Sequence, residues 1–228
     1  MLNKAGRILL KLILWFFVLS IATVIIYRFL PPPFTPLMIQ RVFEQRMNDK
    51  EVKLIKNWVS LDEISQSLPL AVVTAEDQQF ESHFGFDLDA IEKAQKYNEK
   101  HKGKRMKGAS TISQQTAKNV FLWPSRSWVR KGFEVYFTFL IEIFWSKERI
   151  MEMYLNVIEM GPGIYGAEAA AQYYFRKPAS KLNNTEAATI AAILPNPVKW
   201  SASKPTSYII RKRNWILRHM KYIDLNSF

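Results

Sequence analysis

The chain has 228 residues, 48% of them hydrophobic, and no cysteine, which excludes global disorder, disulfides and thiolate metal sites. Its length suits one domain of ordinary size with a short appendage. The formal net charge of +12 indicates an anionic partner, such as nucleic acid, anionic lipid headgroups or a phosphorylated substrate.

The first element is an almost wholly apolar run over residues 8–30, with Lys11 near its start and Arg28 near its end. About 20 helical residues span the ~30 Å hydrocarbon layer of a bilayer. A buried core helix would be amphipathic, and a signal peptide would end in a small-x-small cleavage site, where PPPFTP stands here. We therefore expect an uncleaved anchor, with residues 1–30 as tail and transmembrane segment and 31–228 as the second domain.

The charges that flank this run predict its orientation. Lys4, Arg7 and Lys11 precede the apolar centre, so the positive-inside rule puts the N-terminus in the cytoplasm. Everything after Pro31 then lies on the far side of the membrane, behind a short proline-rich spacer.

The remaining chain shows helical patterns and no run of alternating strands, so we expect a mainly α fold. Residues 88–107 are rich in Lys and Arg and poor in apolar side chains after Ile91. They could be a solvated loop, or a mobile flap that faces the membrane and orders around a substrate. The expected helices cover residues 37–60, a run from Ser60 into Glu76, then 111–122, 126–145, 147–156, 164–175, 184–194 and a last helix with Ile209, Ile216, Leu217 and Met220 on one side.

Two adjacent acids, Glu76 and Asp77, end one of these apolar helices. Glu76 follows a face that we expect to be buried, which would partly desolvate its carboxylate. Desolvation raises the pKa of a carboxyl group and suits it to proton transfer near neutral pH. The alternative is an ordinary exposed helix end.

The next polar cluster is GASTISQQTAKN, residues 108–119. Thr111 and Gln114 match a capping box, so the stretch could simply begin a helix. Its adjacent amides, Gln114 and Gln115, together with Lys118, also supply the donors and acceptors that a sugar-binding wall needs.

A cationic cluster follows at Arg126, Arg130 and Lys131, close to Glu134. Arg130 and Glu134 have the i, i+4 spacing of a surface ion pair. Several cations beside one acid equally suit a phosphate site. A further motif, Ser201-Ala-Ser-Lys204, matches the S-x-x-K of transpeptidases, but neither S-D-N nor K-T-G follows it, so we expect no transpeptidase domain.

Four blocks in order resemble the peptidoglycan glycosyltransferases, the module shared by class A penicillin-binding proteins and by shorter monofunctional enzymes. They are EDQQFESHFG (76–85), GASTISQQTAKN (108–119), RKGFE (130–134) and KERIMEMYLN (147–156). The resemblance covers roughly residues 60–200, with mild departures at Ser113 and Thr116. With no transpeptidase domain expected, the chain is similar to the monofunctional, membrane-anchored form of Gram-negative bacteria.

This resemblance implies a lysozyme-like, mainly α glycosyltransferase domain with a smaller membrane-facing lobe. It also implies an inverting enzyme that polymerises lipid II into linear β-1,4 glycan strands and releases undecaprenyl pyrophosphate. Glu76 would be the general base, Asp77 would shape its position, and Glu134 would lie near the pyrophosphate. The pyrophosphate ligands would be Lys118, Arg126, Arg130 and Lys131, and the sugar cleft would be lined by Ser110, Gln114 and Gln115.

The implied partners are lipid II, the growing glycan strand, the bacterial inner membrane and other cell-wall synthesis proteins, with the catalytic domain in the periplasm. Nucleic-acid binding would explain the charge but not the anchor. No cofactor is expected to be obligatory, although a divalent cation could bridge pyrophosphate and carboxylate. The alternatives are a lysozyme-like or lytic enzyme, which needs no pyrophosphate clamp, and a non-catalytic cell-wall scaffold.

Overall fold

The computed structural model describes residues 3–49, 51–101, 107–125 and 127–225. Within these ranges the chain is mainly α-helical, as predicted. The α-helices are α1 (Lys4–Phe29), α2 (Pro36–Met47), α3 (Ser67–Glu76), α4 (Leu88–Lys100), α5 (Ile112–Phe121), α6 (Trp128–Phe144), α7 (Lys147–Val157), α8 (Ala167–Phe175), α9 (Asn184–Ile193) and α10 (Ser207–His219), and the short strands are β1 (Ile55–Lys56), β2 (Glu159–Gly161) and β3 (Ile164–Tyr165).

The helix starts follow the polar residues that precede them. Thr111 caps α5 in a capping box with Gln114, as the sequence predicts. The carboxylate of Glu63 accepts hydrogen bonds from Ser60, but this pair begins a single 3-10 turn, and α3 starts only at Ser67. The capping signal was therefore correct and the helix it introduces is shorter than expected.

The expectation of a helix from 37 to about 60 is wrong beyond Met47. Asp49 adopts a left-handed conformation with φ of 50°, which an α-helix cannot continue through. The chain then becomes extended, and β1 pairs in parallel with β3, which pairs antiparallel with β2. Gly163, in the turn between β2 and β3, lets this turn lie close to the chain before β1, because a Cβ at its position would lie 2.2 Å from the carbonyl oxygen of Lys53.

The core joins two helix groups. In one, α3 packs against α9 and α10, and the alanine-rich sequence of α9 lets these helices approach closely. In the other, α5 packs against α6 and α7. The C-terminal end of α3 meets the N-terminal end of α5 through side-chain hydrogen bonds, and the polar blocks of the sequence converge there.

Helix α1 is long and apolar enough to cross a membrane, and it is the single such helix in the described ranges. Its first half is exposed, whereas its second half packs on α6 and on the start of α7. The hydroxyl groups of Ser20 and Tyr136 lie 2.7 Å apart, and Trp145 Nε1 donates to the carbonyl oxygen of Val24 at 2.8 Å. The anchor is thus docked on the domain rather than joined only through its spacer.

Helix α4 occupies the first part of the segment expected to be a flap. None of its residues is fully buried. The Asn98 side chain exchanges two hydrogen bonds with the backbone of Lys107, which joins the end of α4 to the start of the next described range. Residues 102–106 lie outside the described ranges, and ordering of the flap by substrate stays a prediction.

Candidate active site

Glu76 is the last residue of α3, and its side chain is only 15% exposed. It is therefore not an ordinary exposed helix end. Burial raises the pKa of the Glu76 carboxyl group, while the nearby Lys212 and Gln115 act in the opposite direction. The site thus holds a carboxylate with more proton affinity than one in water, next to groups that still stabilise its charged form.

Three side chains from three different helices fix the Glu76 carboxylate. Gln115 Nε2 on α5 donates to Glu76 Oε2 at 3.2 Å, and Lys212 Nζ on α10 lies 3.8 Å from Glu76 Oε1. Tyr154 OH on α7 donates to Gln115 Oε1 at 3.3 Å. Burial raises the pKa of Tyr154 well above its ordinary value, so this phenol keeps its proton and orients the amide with its NH₂ toward Glu76.

Asp77 makes structural contacts that hold the site together. Its Oδ2 accepts the backbone N–H of Ile112 at 2.9 Å, which joins the end of α3 to the start of α5. His83 Nε2 lies 2.9 Å from Oδ1 of the same carboxylate. Asp77 is buried, so it fixes the backbone beside Glu76 rather than facing solvent.

Two neighbouring cavities lie along this junction. A cavity of about 510 Å³ is lined by Glu76, Asp77 and Ser110, with Trp215 of α10 on its wall. A second cavity of about 420 Å³ shares Ser110 and is lined by Gln114, Lys131 and one face of α4. The two form an elongated cleft with polar groups on the α5 side.

The two glutamines of α5 have different roles. Gln114 Oε1 accepts the backbone N–H of Thr111 in the capping box, so its oxygen is occupied and its NH₂ is left for a ligand. Gln115 faces Glu76. The helix start that this stretch predicts is confirmed, and its role as a sugar-binding wall stays a prediction.

The cationic cluster surrounds a buried acid on α6. Glu134 accepts from Arg130 Nη1 at 2.7 Å and from Lys131 Nζ at 2.5 Å, and its side chain is only 4% exposed. The pair is therefore not the exposed surface ion pair that the spacing alone allows. Arg126, predicted to belong to this cluster, lies outside the described residues.

A third cavity, of about 590 Å³, is lined by Lys118, Arg130 and Arg41 of α2, with Trp123 beside them. Burial lowers the pKa of Lys118, and the adjacent Glu134 partly offsets this. The Lys118 ammonium group makes no hydrogen bond or ion pair with the described part of the chain. A half-buried cation without a partner, beside a second cation, is suited to hold an anion.

Of the predicted site residues that the structure describes, Glu76, Asp77, Ser110 and Gln115 lie together. Lys118, Arg130, Lys131 and Glu134 form the neighbouring cationic group. The sequence analysis missed Lys212, Tyr154 and Arg41 as site residues. One signal was available for Lys212, which follows Ile209 by three residues and precedes Ile216 by four, on the apolar face of α10.

No group of three or more His, Asp or Glu side chains that could hold a metal ion occurs in the described ranges. The absence of an obligatory cofactor stays a prediction.

Comparison with known proteins identifies the family. The transglycosylase family model matches residues 44–221. The chain is 55% identical to a biosynthetic peptidoglycan transglycosylase of Bacteroides thetaiotaomicron, over 97% of this chain and 89% of the relative. It is 49% identical to a protein of the same description from Pseudomonas entomophila, over 100% of this chain and 96% of the relative.

The chain therefore belongs to the transglycosylase family, whose domain is lysozyme-like and mainly α, as predicted. It is a glycosyltransferase of peptidoglycan synthesis. Its N-terminal apolar helix fits a single-pass membrane anchor.

Proposed function

We propose that this chain polymerises lipid II into linear β-1,4 glycan strands and releases undecaprenyl pyrophosphate, with Glu76 as the general base. The observation that carries the proposal is the position of the Glu76 carboxylate, which is largely buried and opens onto the cleft. Helix α5, whose Gln115 contacts Glu76, also contributes Lys118 to the cation-lined cavity. A transfer from a pyrophosphate donor to an alcohol acceptor needs both features.

The proposed step is an inverting displacement. The 4-hydroxyl oxygen of the incoming disaccharide unit forms a bond to the anomeric carbon of the growing strand. The bond from that carbon to the pyrophosphate oxygen breaks, and its electron pair leaves with the pyrophosphate. The hydroxyl proton passes to Glu76, whose raised pKa makes it a stronger acceptor than a solvated carboxylate.

The leaving group gains negative charge as this bond breaks, and cations nearby lower the energy of that state. Lys118 and Arg130 line the cavity that would take it, and Glu134 holds Arg130 and Lys131 in fixed positions. Arg126 joins this group through the family resemblance. A lysozyme-like hydrolase, whose leaving group is a sugar, would have no use for this arrangement.

The remaining predicted site residues support binding of the sugar. Ser110 lies where the two cleft cavities meet, and Gln114 offers its NH₂ to the second of them. Gln115 and Asp77 position the base. The substrates would be lipid II and the strand that grows from it, with other cell-wall synthesis proteins as partners of the anchored enzyme.

The decisive experiment is polymerisation of purified lipid II by the full chain in detergent, with products separated by length. We expect glycan strands from the wild type. Glu76→Gln should lower the rate at least ~10²-fold, the usual contribution of a general base, without changing the melting temperature. Glu148→Gln, the same change at an exposed helical position, is the matched control.

Three results would count against the proposal. Failure of the wild type to form strands would contradict lipid II polymerisation. Cleavage of finished peptidoglycan with no polymerisation would favour a lytic enzyme. A rate for Glu76→Gln within a few-fold of the control would remove Glu76 from the mechanism and leave the activity itself standing.

A further inference from the structure

Helix α2 contributes Leu37 and Arg41 to the cation-lined cavity, although it lies outside all the sequence blocks that predicted the site. Arg41 lines the cavity together with Lys118 and Arg130. Helix α2 follows α1 directly after the proline-rich spacer, so this side of the cavity lies next to the end of the membrane anchor. A lipid-linked diphosphate would occupy the same level, because its phosphates lie at the bilayer surface.

The Arg41 guanidinium pairs with two carboxylates, those of Glu44 and Glu159, which line a separate cavity together with it. Its Nη1 donates to Glu44 Oε2 at 2.9 Å, and its Nε lies 3.4 Å from Glu159 Oε2. Glu159 is buried, and its Oε1 accepts the backbone N–H of Gly163 at 3.3 Å, which fixes it on the β2–β3 turn. Nη2 makes no hydrogen bond to the described residues, so this edge of the fork is left for a ligand.

The cavity also has an apolar side, formed by Leu37, Leu122 and Trp123. Leu37 and Arg41 are four residues apart on α2 and therefore lie on one face of the helix. Cations next to apolar side chains match a molecule in which a diphosphate is joined directly to a hydrocarbon chain. A free sugar would need neither the cations nor the apolar side chains.

We infer that Arg41 is a binding residue for the diphosphate of the polyprenyl carrier, held in position by Glu159. This inference rests on the proposed function. Arg130 and Lys131 share one carboxylate, that of Glu134, and Arg41 is paired with those of Glu44 and Glu159, so each of these cations is held in position by an acid. Arg41 adds a further guanidinium, and its planar fork matches phosphate oxygens.

A purely structural role is the competing explanation, because Arg41 also joins α2 to the β2–β3 turn. The two explanations give opposite signs for two substitutions. If Arg41 binds the diphosphate, Arg41→Gln weakens affinity, whereas Glu159→Gln removes a negative charge near the cavity and keeps or increases affinity. If the pair is only a structural link, both substitutions loosen α2 and change ligand affinity in the same direction.

The test is binding of farnesyl diphosphate and farnesyl monophosphate to the full chain in detergent micelles, by competition with a labelled polyprenyl diphosphate. We expect Arg41→Gln to weaken diphosphate binding about tenfold, as for loss of one hydrogen bond between charged groups, and to weaken monophosphate binding less. Arg41→Lys should fall between wild type and Arg41→Gln, because it keeps the charge and loses the fork. Arg46→Gln is the matched control, an exposed arginine on the same helix.

Each outcome decides one question. Diphosphate affinity of Arg41→Gln equal to that of Arg46→Gln would overturn the inference, and so would equal weakening by Glu159→Gln and Arg41→Gln. If Arg41→Gln unfolds, Arg41→Lys takes its place in the test. Binding by Arg41 then predicts weaker diphosphate affinity for Arg41→Lys and equal or higher affinity for Glu159→Gln. A purely structural link predicts a change in the same direction for both variants. A wild type that neither binds the diphosphate nor polymerises lipid II would instead contradict the proposed function.

Discussion

Two opposed effects act on the pKa of the Glu76 carboxyl group, and their balance decides whether it can act as a base. Burial favours the protonated form, whereas Lys212 favours the charged form. Burial also lowers the pKa of Lys212, and Glu76 opposes that change, so each group keeps the other ionised. A base that is buried without a cation would keep its proton to higher pH, and a smaller fraction of it could accept a proton at any given pH.

This balance predicts a shift in the pH dependence of the reaction. In Lys212→Gln the pKa of Glu76 should rise, because burial remains and the opposing cation is gone. The acid limb of kcat/KM should therefore move to higher pH, with the largest loss of activity at the acidic end and recovery toward the wild-type plateau as the pH rises. A pH profile of lipid II polymerisation from pH 5 to 9 measures this.

Arg211→Gln is the control for Lys212, since Arg211 is exposed and adjacent on α10. Its acid limb should coincide with that of the wild type. A uniform loss of rate at every pH in Lys212→Gln would show that Lys212 acts in packing or substrate binding, not on the ionisation of Glu76.

At this scale the sequence predicted the residues that lie within its polar blocks and missed their distant partners. The apolar face before Glu76 indicated partial burial and left an exposed helix end as the alternative, and the structure decides for burial. Lys212 and Arg41 come from helices far along the chain in either direction, and their proximity to the site depends on how α10 and α2 pack. Local patterns carry no information about such long-range contacts.

Helix α5 contributes to each part of the candidate site, because Gln114 lines the second cavity of the cleft, Gln115 contacts Glu76 and Lys118 lines the cation-lined cavity. Its start is fixed twice, by Thr111 within its own sequence and by Asp77 from α3. The capping box could be predicted from four residues of sequence. The Asp77 contact could not, because an acid after a helix has no preferred partner until the fold is formed.

The end of α1 is held by a contact between helices that bears on stability. The last carbonyl groups of a helix lack partners within it. Arg149 on α7 supplies donors, with Nη2 2.9 Å from the Tyr27 oxygen and 3.1 Å from the Leu30 oxygen. The same guanidinium pairs with Glu152 through Nη1 at 2.9 Å.

Removing this donor should loosen the junction between anchor and domain. Arg149→Gln leaves the carbonyl oxygens of Tyr27 and Leu30 without their charged partner, at a cost of roughly 1–3 kcal/mol. Hydrogen exchange of the backbone amides over residues 27–35 should accelerate correspondingly. Glu152→Gln removes only the ion pair and keeps the contacts to α1, so its effect should be about 1 kcal/mol or less. Equal exchange in both variants would show that packing on α6, not Arg149, holds the end of α1.

The whole molecule combines the docked apolar helix α1, exposed apolar side chains and a cationic site. Helix α6 exposes Trp128, Phe139 and Ile143, and Phe84 and Leu88 are also exposed. Large apolar side chains on the surface are costly in water and favourable against lipid. Together with the span of α1, this surface supports a lobe that rests on the bilayer, and the net charge of +12 fits both anionic lipid and a diphosphate.

The division of the chain at residues 30 and 31 and the side of the membrane on which the domain lies stay predictions, and the absence of cysteine allows a direct test. Lys4, Arg7 and Lys11 precede the span, so the N-terminus should remain in the cytoplasm and the domain should reach the periplasm. A single cysteine at the exposed Ser203 should then react in cells with a maleimide that cannot cross the inner membrane, whereas one at the exposed Ala5 should react only after the membrane is opened. The reverse pattern would contradict this orientation, and labelling of both positions in intact cells would contradict a single span.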